Sequence, residues 1–291
     1  MTASCTIDVR FFPPPPELEG CFSTFYRAEF DVGDCGRVRD HLQPEWANLR
    51  FFSGDAPDAQ VPGGLELSRA RFTATGPSSL PIEFELGQTR MWGVGLFPLG
   101  WAKFVSTPAA ELANALVDGE RAPAFLSFAP ILDQLFGEKP DDDREYSVIL
   151  DHFLARNRPH PDQDRIMAVH AALVDPSVSS VGHFAEHAGL GPRTLERLCH
   201  RAFGFPPKLL LRRQRFMRSL ASFMLQKSGN WTGAMDDHYH DQAHFVRDFR
   251  AFMTMSPTEY AALDHPILSA FMIERARIWG SPAQTLDKPR H

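Results

Sequence analysis

The stretch VGHFAEHAGLGPRTLERLCHRAFGF, Val181 to Phe205, decides how the second half of this chain is read. Phe184, Ala185 and Ala188 fall on one helical face, and Gly189 follows where the chain must turn sharply. Leu190 is the apolar residue inside that turn, Gly191 opens the next segment, and Pro192 suits a first helical position, where no N–H is needed. Leu195, Leu198, Cys199 and Ala202 then recur at i, i+3, i+4 and i+7, the stripe of a helix with one buried face. Arg193, Thr194, Glu196, Arg197, His200 and Arg201 are left outside. Two short helices joined by a glycine turn, with a basic outer face on the second, make a helix-turn-helix, whose second helix enters a major groove of DNA. A helical hairpin with a solvated charged face has the same pattern.

About fifty residues downstream the logic recurs. MDDHYHDQAHFVRDF, Met235 to Phe249, holds three histidines and four aspartates. A helix would stack His240 and His244, and two histidines with nearby carboxylates could hold zinc. No third ligand with suitable spacing is evident, and solvated histidines are the simpler reading. Phe245, Phe249 and Phe252 share a core face, leaving Gln242, Ala243, Val246, Arg247 and Arg250 outward, and Asp241 is a natural N-cap. MTMSPTEY then reads as a turn with Ser256 capping and Pro257 at the first position of a short helix. Between the two units PPKLLLRRQRFMRSLASFMLQKS is one long helix, whose Leu210, Phe216, Met217, Leu220 and Met224 can contact both.

GPRTLERLCHRAFG, a linking helix and then DQAHFVRDFRAFMTMSPTEY together resemble the DNA-binding domain of the AraC-type transcriptional regulators, over about ninety residues. The resemblance implies two helix-turn-helix units held by the linking helix, with reading helices in successive major grooves roughly 34 Å apart. Carried over by position, the first reading helix would use Arg193, Thr194, Glu196 and Arg197, and the second Gln242, His244, Val246 and Arg247. Arginine can bond guanine bidentately, glutamine adenine, and an apolar side chain can touch a thymine methyl, while some arginines position the protein on phosphate. One departure stands out. After Trp231 the chain reads WTGAMDDHYHDQ, one residue short of the family pattern, with His238 where a turn glycine is expected and Asp236 and Asp237 adding negative charge. The second unit is therefore a candidate for weakening, bending or another use.

The first hundred residues read as β. Aromatic and β-branched runs such as CFSTFYRAEF, NLRFFSG and IEFELGQTRMWGVGLF alternate with Gly, Pro and Asp breaks about every ten residues, as in an antiparallel sandwich or barrel. STPAAELANALVDG has Thr107 as N-cap, Pro108 at the first position and Gly119 beyond the end, which predicts a helix. Further helices are predicted over Phe125–Phe136, Asp141–Arg156 and Gln163–Val174. The expected fold is α+β and multidomain: a β domain over 1–120, a helical connector over 121–162, an all-α double helix-turn-helix over 163–265, and a tail over 266–291 with one apolar helical piece and a disordered-looking end. GVGLFPLGWAKFVSTPAAEL and HLQPEWANLRFFSG resemble parts of the β domain in one group of AraC-type regulators, which implies a cupin-like sensing or dimerising domain.

The formal charge of −6 argues against a generally basic nucleic-acid binder, but the distribution is uneven. Residues 163–263 hold 12 Lys and Arg against 9 Asp and Glu, and the remainder 18 against 27. A mildly basic module joined to an acidic one suits a two-part regulator. The N-terminus lacks the pattern of a signal peptide, no run is long and apolar enough to span a bilayer, and a soluble cytoplasmic protein is expected. Cys5, Cys21, Cys35 and Cys199 are widely spaced and read as reduced. His41 is the only histidine among the first 150 residues, which argues against a metal-dependent cupin enzyme. No nucleophile elbow, Walker loop or dinucleotide fingerprint occurs. Asp141, Asp142 and Asp143 read as charges at a helix start.

The expected protein is therefore not an enzyme and needs no cofactor. It is a regulator of promoter DNA, a homodimer that contacts RNA polymerase and whose β domain takes a small apolar or aromatic effector. Trp46, Phe84, Trp92 and Trp101 are the candidate pocket residues. The rival reading is a small-molecule binding protein whose degenerate second unit now contacts proteins in place of DNA.

Overall fold

The N-terminal half is a pair of antiparallel sheets, with burial alternating along Ile82–Leu86 and nearly continuous along Phe22–Asp31, Ala47–Gly54, Phe72–Thr75 and Thr89–Leu96. The computed structural model describes residues 6–33, 36–64, 66–226, 231 and 233–289. Strands β1 (Thr6–Phe12), β2 (Phe22–Asp31), β3 (Val38–Leu42), β4 (Ala47–Gly54) and β5 (Asp58–Gln60) are followed by β6 (Glu66–Ser68), β7 (Phe72–Thr75), β8 (Ile82–Leu86), β9 (Thr89–Leu96) and, later, β10 (Leu116–Asp118). One sheet has the order β1-β2-β9-β4-β7-β10 and the other β3-β8-β5-β6, and every pairing is antiparallel. In β2 and β9, at the middle of the larger sheet, Tyr26 faces Gly93 across the ladder. A Cβ on Gly93 would lie 1.9 Å from the Tyr26 ring, so glycine lets that ring lie flat over β9.

The β domain is pinned to the first connector helices by charge. After α1 (Pro98–Phe104) come α2 (Ala129–Leu135) and α3 (Asp142–Leu154). Asp141 caps α3 by accepting from the Arg144 N–H. Asp142 pairs with Arg10, Arg27 and Arg90, and buried Glu145 accepts from Arg90 and from the Trp92 indole at 2.6 Å. Burial alone would raise the Asp142 carboxyl, but the arginines win and hold it at about 2.

The segment from Pro108 to Gly119 departs from its predicted helix. Pro108 is extended, only Ala109–Leu112 makes a single 3-10 turn, and Asn114 sits at φ +59. The Asn114 side chain accepts from the Ser79 N–H at 2.7 Å, its backbone N–H donates to Pro77, and Leu116–Asp118 completes the edge of the larger sheet against β7. Pairing with an open edge has overridden local helical preference.

The C-terminal half is helical: α4 (Gln163–Val174), α5 (Val181–His187), α6 (Pro192–Leu198) running on through a π turn at Cys199–Phe203, α7 (Pro207–Leu225), α8 (Gln242–Met253), α9 (Pro257–Ala261) and α10 (Pro266–Trp279). One apolar core runs from the strands through α1, α3 and α4 into α5 and α6. A second fills the space between the sheets, and a third joins α7, α8 and α9. The segment after α10 is anchored at Gln284, Thr285 and Asp287, unlike the disordered end read from the sequence. Gln284 bonds Ser23 and Glu45, Gln214 donates to the Thr285 carbonyl, and Asp287 pairs with Arg275. Among the described residues no helix is long and apolar enough to cross a membrane. Cys21 and Cys199 are buried free thiols raised by burial, while Cys5 and Cys35 lie outside the described residues.

Candidate nucleic-acid interface and effector cavity

In the first helix-turn-helix the local signals act as read. Ser180 caps α5, Gly189 turns the chain at φ +63, and Pro192 starts α6. Phe184, Leu195, Leu198 and Cys199 are buried in the core shared with the β domain. The opposite side of α6 stays open: Arg193, Glu196 and Arg197 are exposed and Thr194 is half-buried. Glu196 bonds His200 at 3.2 Å. Among the described residues, neither Arg193, Arg197 and Arg201 here nor Arg247 and Arg250 on α8 have a carboxylate within 4 Å, so these arginines stand without a close ion-pair partner.

The second unit is built differently. The described residues between Gln226 and Asp241 form turns, with no helix ahead of α8. Their side chains nevertheless supply packing. Trp231 stacks on Phe223 with centroids 3.5 Å apart and donates to the Pro257 carbonyl, while Ala234 and Tyr239 are buried. Asp236 does not face outward as free charge. It pairs with Arg218, accepts from the His238 N–H, and its own N–H donates to Ser219. Asp237 is exposed.

Asp241 caps α8, accepting from the His244 N–H at 2.6 Å, and Ser256 makes a capping box with Glu259 on α9. Gln242 and Arg247 are exposed, and Val246 and His244 are half-buried. His244 accepts from the Arg215 guanidinium at 3.0 Å; partial burial, and then the nearby Arg215 charge, keep the imidazole below its usual pKa. Arg215 in turn bonds Asp248 at 2.8 Å, as does Arg212 at 2.7 Å and the Tyr239 hydroxyl at 3.2 Å. Burial would raise the Asp248 carboxyl, but the two arginines pull it below the ordinary range. Asp248 interrupts the apolar stripe Phe245–Phe249–Phe252, a signal that could have found this clamp in the sequence and went unused.

The β domain holds a half-enclosed cavity of about 150 Å³. Tyr26, Phe30, Phe52, Phe84 and Met91 wall it from the sheets. Helix α10 closes it with Ile267, Phe271 and Met272, and the tail adds Ala283, Gln284 and Thr285. Met217 of α7 also lines it, so the long helix of the helix-turn-helix module touches the cavity directly. Of the four residues read as pocket candidates, only Phe84 lies on this cavity. Trp46, Trp92 and Trp101 are buried in the main core instead. Trp46 packs on buried His170 and under the Arg213 guanidinium at 4.1 Å, Trp92 bonds Glu145, and Trp101 donates to the Thr107 carbonyl. The three tryptophans fill the core here, and phenylalanines, Tyr26 and methionines make the wall.

Helix α10 reaches the β domain through Asp40, fully buried, which accepts from the Ile267 and Leu268 N–H groups at 2.9 and 2.8 Å and pairs with His265. A carboxylate on the first free N–H groups of a helix is favourable. Among the described residues no group of three or more His, Cys, Asp or Glu could hold a metal.

Architecture and site define a two-part protein, a β domain enclosing a cavity joined to a helix-turn-helix module. Residues 184–262 match the family model described as a helix-turn-helix domain. No curated protein matches the chain in sequence. Among solved structures, ToxT from Vibrio cholerae is similar at 10% identity and a TM-score of 0.42, covering 89% of this chain and 98% of that one. Its unsaturated fatty acid bound form gives 11% identity and a TM-score of 0.39, covering 89% and 95%. The AraC-like transcriptional activator CuxR gives 14% and 0.26, covering 79% and 91%. These overlaps are loose, and the sites described above rest on the residues of this chain.

Proposed function

We propose that the chain is a sequence-specific DNA-binding transcriptional regulator whose β domain senses a small apolar molecule. The observation that carries it is the open face of α6. Arg193 and Arg197 stand exposed and unneutralised on a helix whose other side is fixed in the core, the arrangement a reading helix needs. On α8, Gln242, Val246 and Arg247 remain available, while His244 is oriented by Arg215. Residues 1–120 then form the sensor, 121–162 the connector and 163–265 the output, with 266–291 as a strap between the first and the last. The cavity is the effector site in this reading, and its contact with Met217 gives an occupied cavity a direct route to the linking helix. An effector acts by favouring one arrangement of the two parts.

A second reading keeps the cavity and drops the DNA. The turns formed by the described residues 231 and 233–240 favour it, because that stretch precedes α8 where a complete helix-turn-helix sets the helix that crosses the backbone. Selection of the full chain on a random duplex pool separates the two. Enrichment of a defined motif supports the regulator. A folded protein that enriches none, with and without a cavity ligand, supports the binding protein.

A further inference from the structure

Granted the effector reading above, the cavity's volume, its wall and one open guanidinium nitrogen set the class of molecule it takes. The space is about 150 Å³, and an apolar cavity of about that size holds a benzene-sized ligand. The wall is rich in aromatic rings and methionine, among them Phe30, Phe52, Phe84, Phe271, Met91 and Met272. Its own rings meet edge to face: Phe271 stands at 89° to Phe11 and at 90° to Tyr26. A flat ring joins such a wall through the same edge contacts and through methionine sulfur, which a saturated chain cannot do. A rigid ring also loses less freedom on binding than a flexible chain does.

The polar end has a donor to spare. Arg50 lines the cavity and is only 8% exposed. Its Nε donates to the Tyr26 hydroxyl at 3.1 Å and its Nη2 to Glu45 at 2.5 Å. Among the described residues Nη1 has no hydrogen-bond partner, and it is not sealed from solvent-sized space as Arg213 Nη2 and Arg275 Nε are. The other arginine of the lining, Arg275, pairs with Asp287. A guanidinium stays charged and carries donors only, so the group that completes Arg50 is an acceptor. A buried charged donor without an acceptor is costly, and a ligand oxygen set on it removes that cost. Tyr26 joins the two ends of the cavity: its hydroxyl takes the Arg50 bond and its ring lies 5.4 Å from Phe271. We infer that the effector is a single aromatic ring bearing an acceptor oxygen, carbonyl or carboxylate, with the ring among Phe30, Phe52, Phe84, Met91 and Phe271 and the oxygen on Arg50 Nη1.

Calorimetric titration of the full chain near neutral pH, where benzoate is ionised, tests this with acetophenone, benzoate and cumene. Cumene has nearly the shape of acetophenone and no oxygen, so it reports the ring site alone. Arg50→Met is combined with Glu45→Gln so that no buried charge is left unpaired. The pair is expected to weaken acetophenone, benzoate or both at least tenfold, about 1.4 kcal/mol, while cumene stays within about twofold. A loss for benzoate alone assigns a charged head and a loss for acetophenone alone a neutral one, and either supports the inference. No loss for either relative to cumene would overturn it. Arg50→Lys keeps a charge opposite Glu45 but has no Nη1, and it serves with the same expected loss should the first variant not fold. Decyl methyl ketone carries the acetophenone head on a chain too large for the space. It is expected to bind more weakly than acetophenone despite its greater hydrophobicity, and tighter binding would refute the ring. If none of the four binds the folded wild type, the effector reading itself fails, an outcome distinct from cumene binding with no dependence on Arg50.

Discussion

Replacing Asp248 by asparagine should loosen α8 more than any other single polar change on that helix. The carboxylate is almost wholly buried and takes hydrogen bonds from Arg212, Arg215 and Tyr239. Breaking a buried pair by removing one partner costs about 3–5 kcal/mol, because the other charge is left behind. The Arg212 side chain retains 38% of its exposure and regains water, so its share is worth about 1 kcal/mol or less. Arg215, at 17%, recovers less, and the expected loss is about 2–4 kcal/mol. Amide hydrogen exchange across α8 is the right assay, since a two-part chain need not unfold in one step. Protection of Phe245 to Phe252 should fall while that of α3 and α4 stays. A double-mutant cycle with Arg215→Met should return a coupling of about 1–3 kcal/mol. A loss under about 0.5 kcal/mol with no coupling, within the range of ordinary surface changes, would show that the clamp does not hold α8.

Two further expectations concern the core and the cavity. Buried His170, packed among Trp46, Phe97 and Phe203, is pushed down to about 3 by burial and then by the nearby Arg213 charge. Its folded pKa lies below the ordinary 6.5, so the unfolded chain takes up a proton first, and stability should fall as pH drops from about 6.5 toward 3. His170→Phe should reduce that acid slope by about 1.4 kcal/mol per pH unit at most, and an unchanged slope would place the protonation elsewhere, His152 being the other imidazole pushed low by burial, to about 4. Gly93→Ala forces a methyl into the Tyr26 ring and should cost about 1–3 kcal/mol by denaturation and weaken cumene binding, because Tyr26 walls the cavity; unaltered stability and binding would refute that packing.

The helical half was legible because its signals are local. Gly189, Pro192, Asp241 and Ser256 each act on their immediate neighbours, and the buried stripes of α6 and α8 follow from a fixed helical period. What was missed depends on distant partners. Pro108 to Gly119 carries good helix-start chemistry, yet the edge of β7, more than thirty residues earlier, captured Leu116–Asp118. The tail looked unstructured because its own residues give no reason to fold; Ser23, Glu45 and Gln214 hold it. The tryptophans drew attention as pocket residues by size, whereas the cavity wall comes from β2, β4, β8, β9 and α10 together, a set with no sequence signature.

DNA affinity measured by fluorescence anisotropy across a salt series tests the central claim most directly, using the motif enriched from the random pool. Wild-type binding should weaken linearly in log–log form with salt. Arg197→Ala should cost about 1–3 kcal/mol on that motif and less on scrambled duplex, and Arg247→Ala should do so only if α8 reads bases as α6 does. Binding that keeps its affinity and its preference after both substitutions would contradict the assignment of the exposed faces of α6 and α8 as the surface that reads DNA.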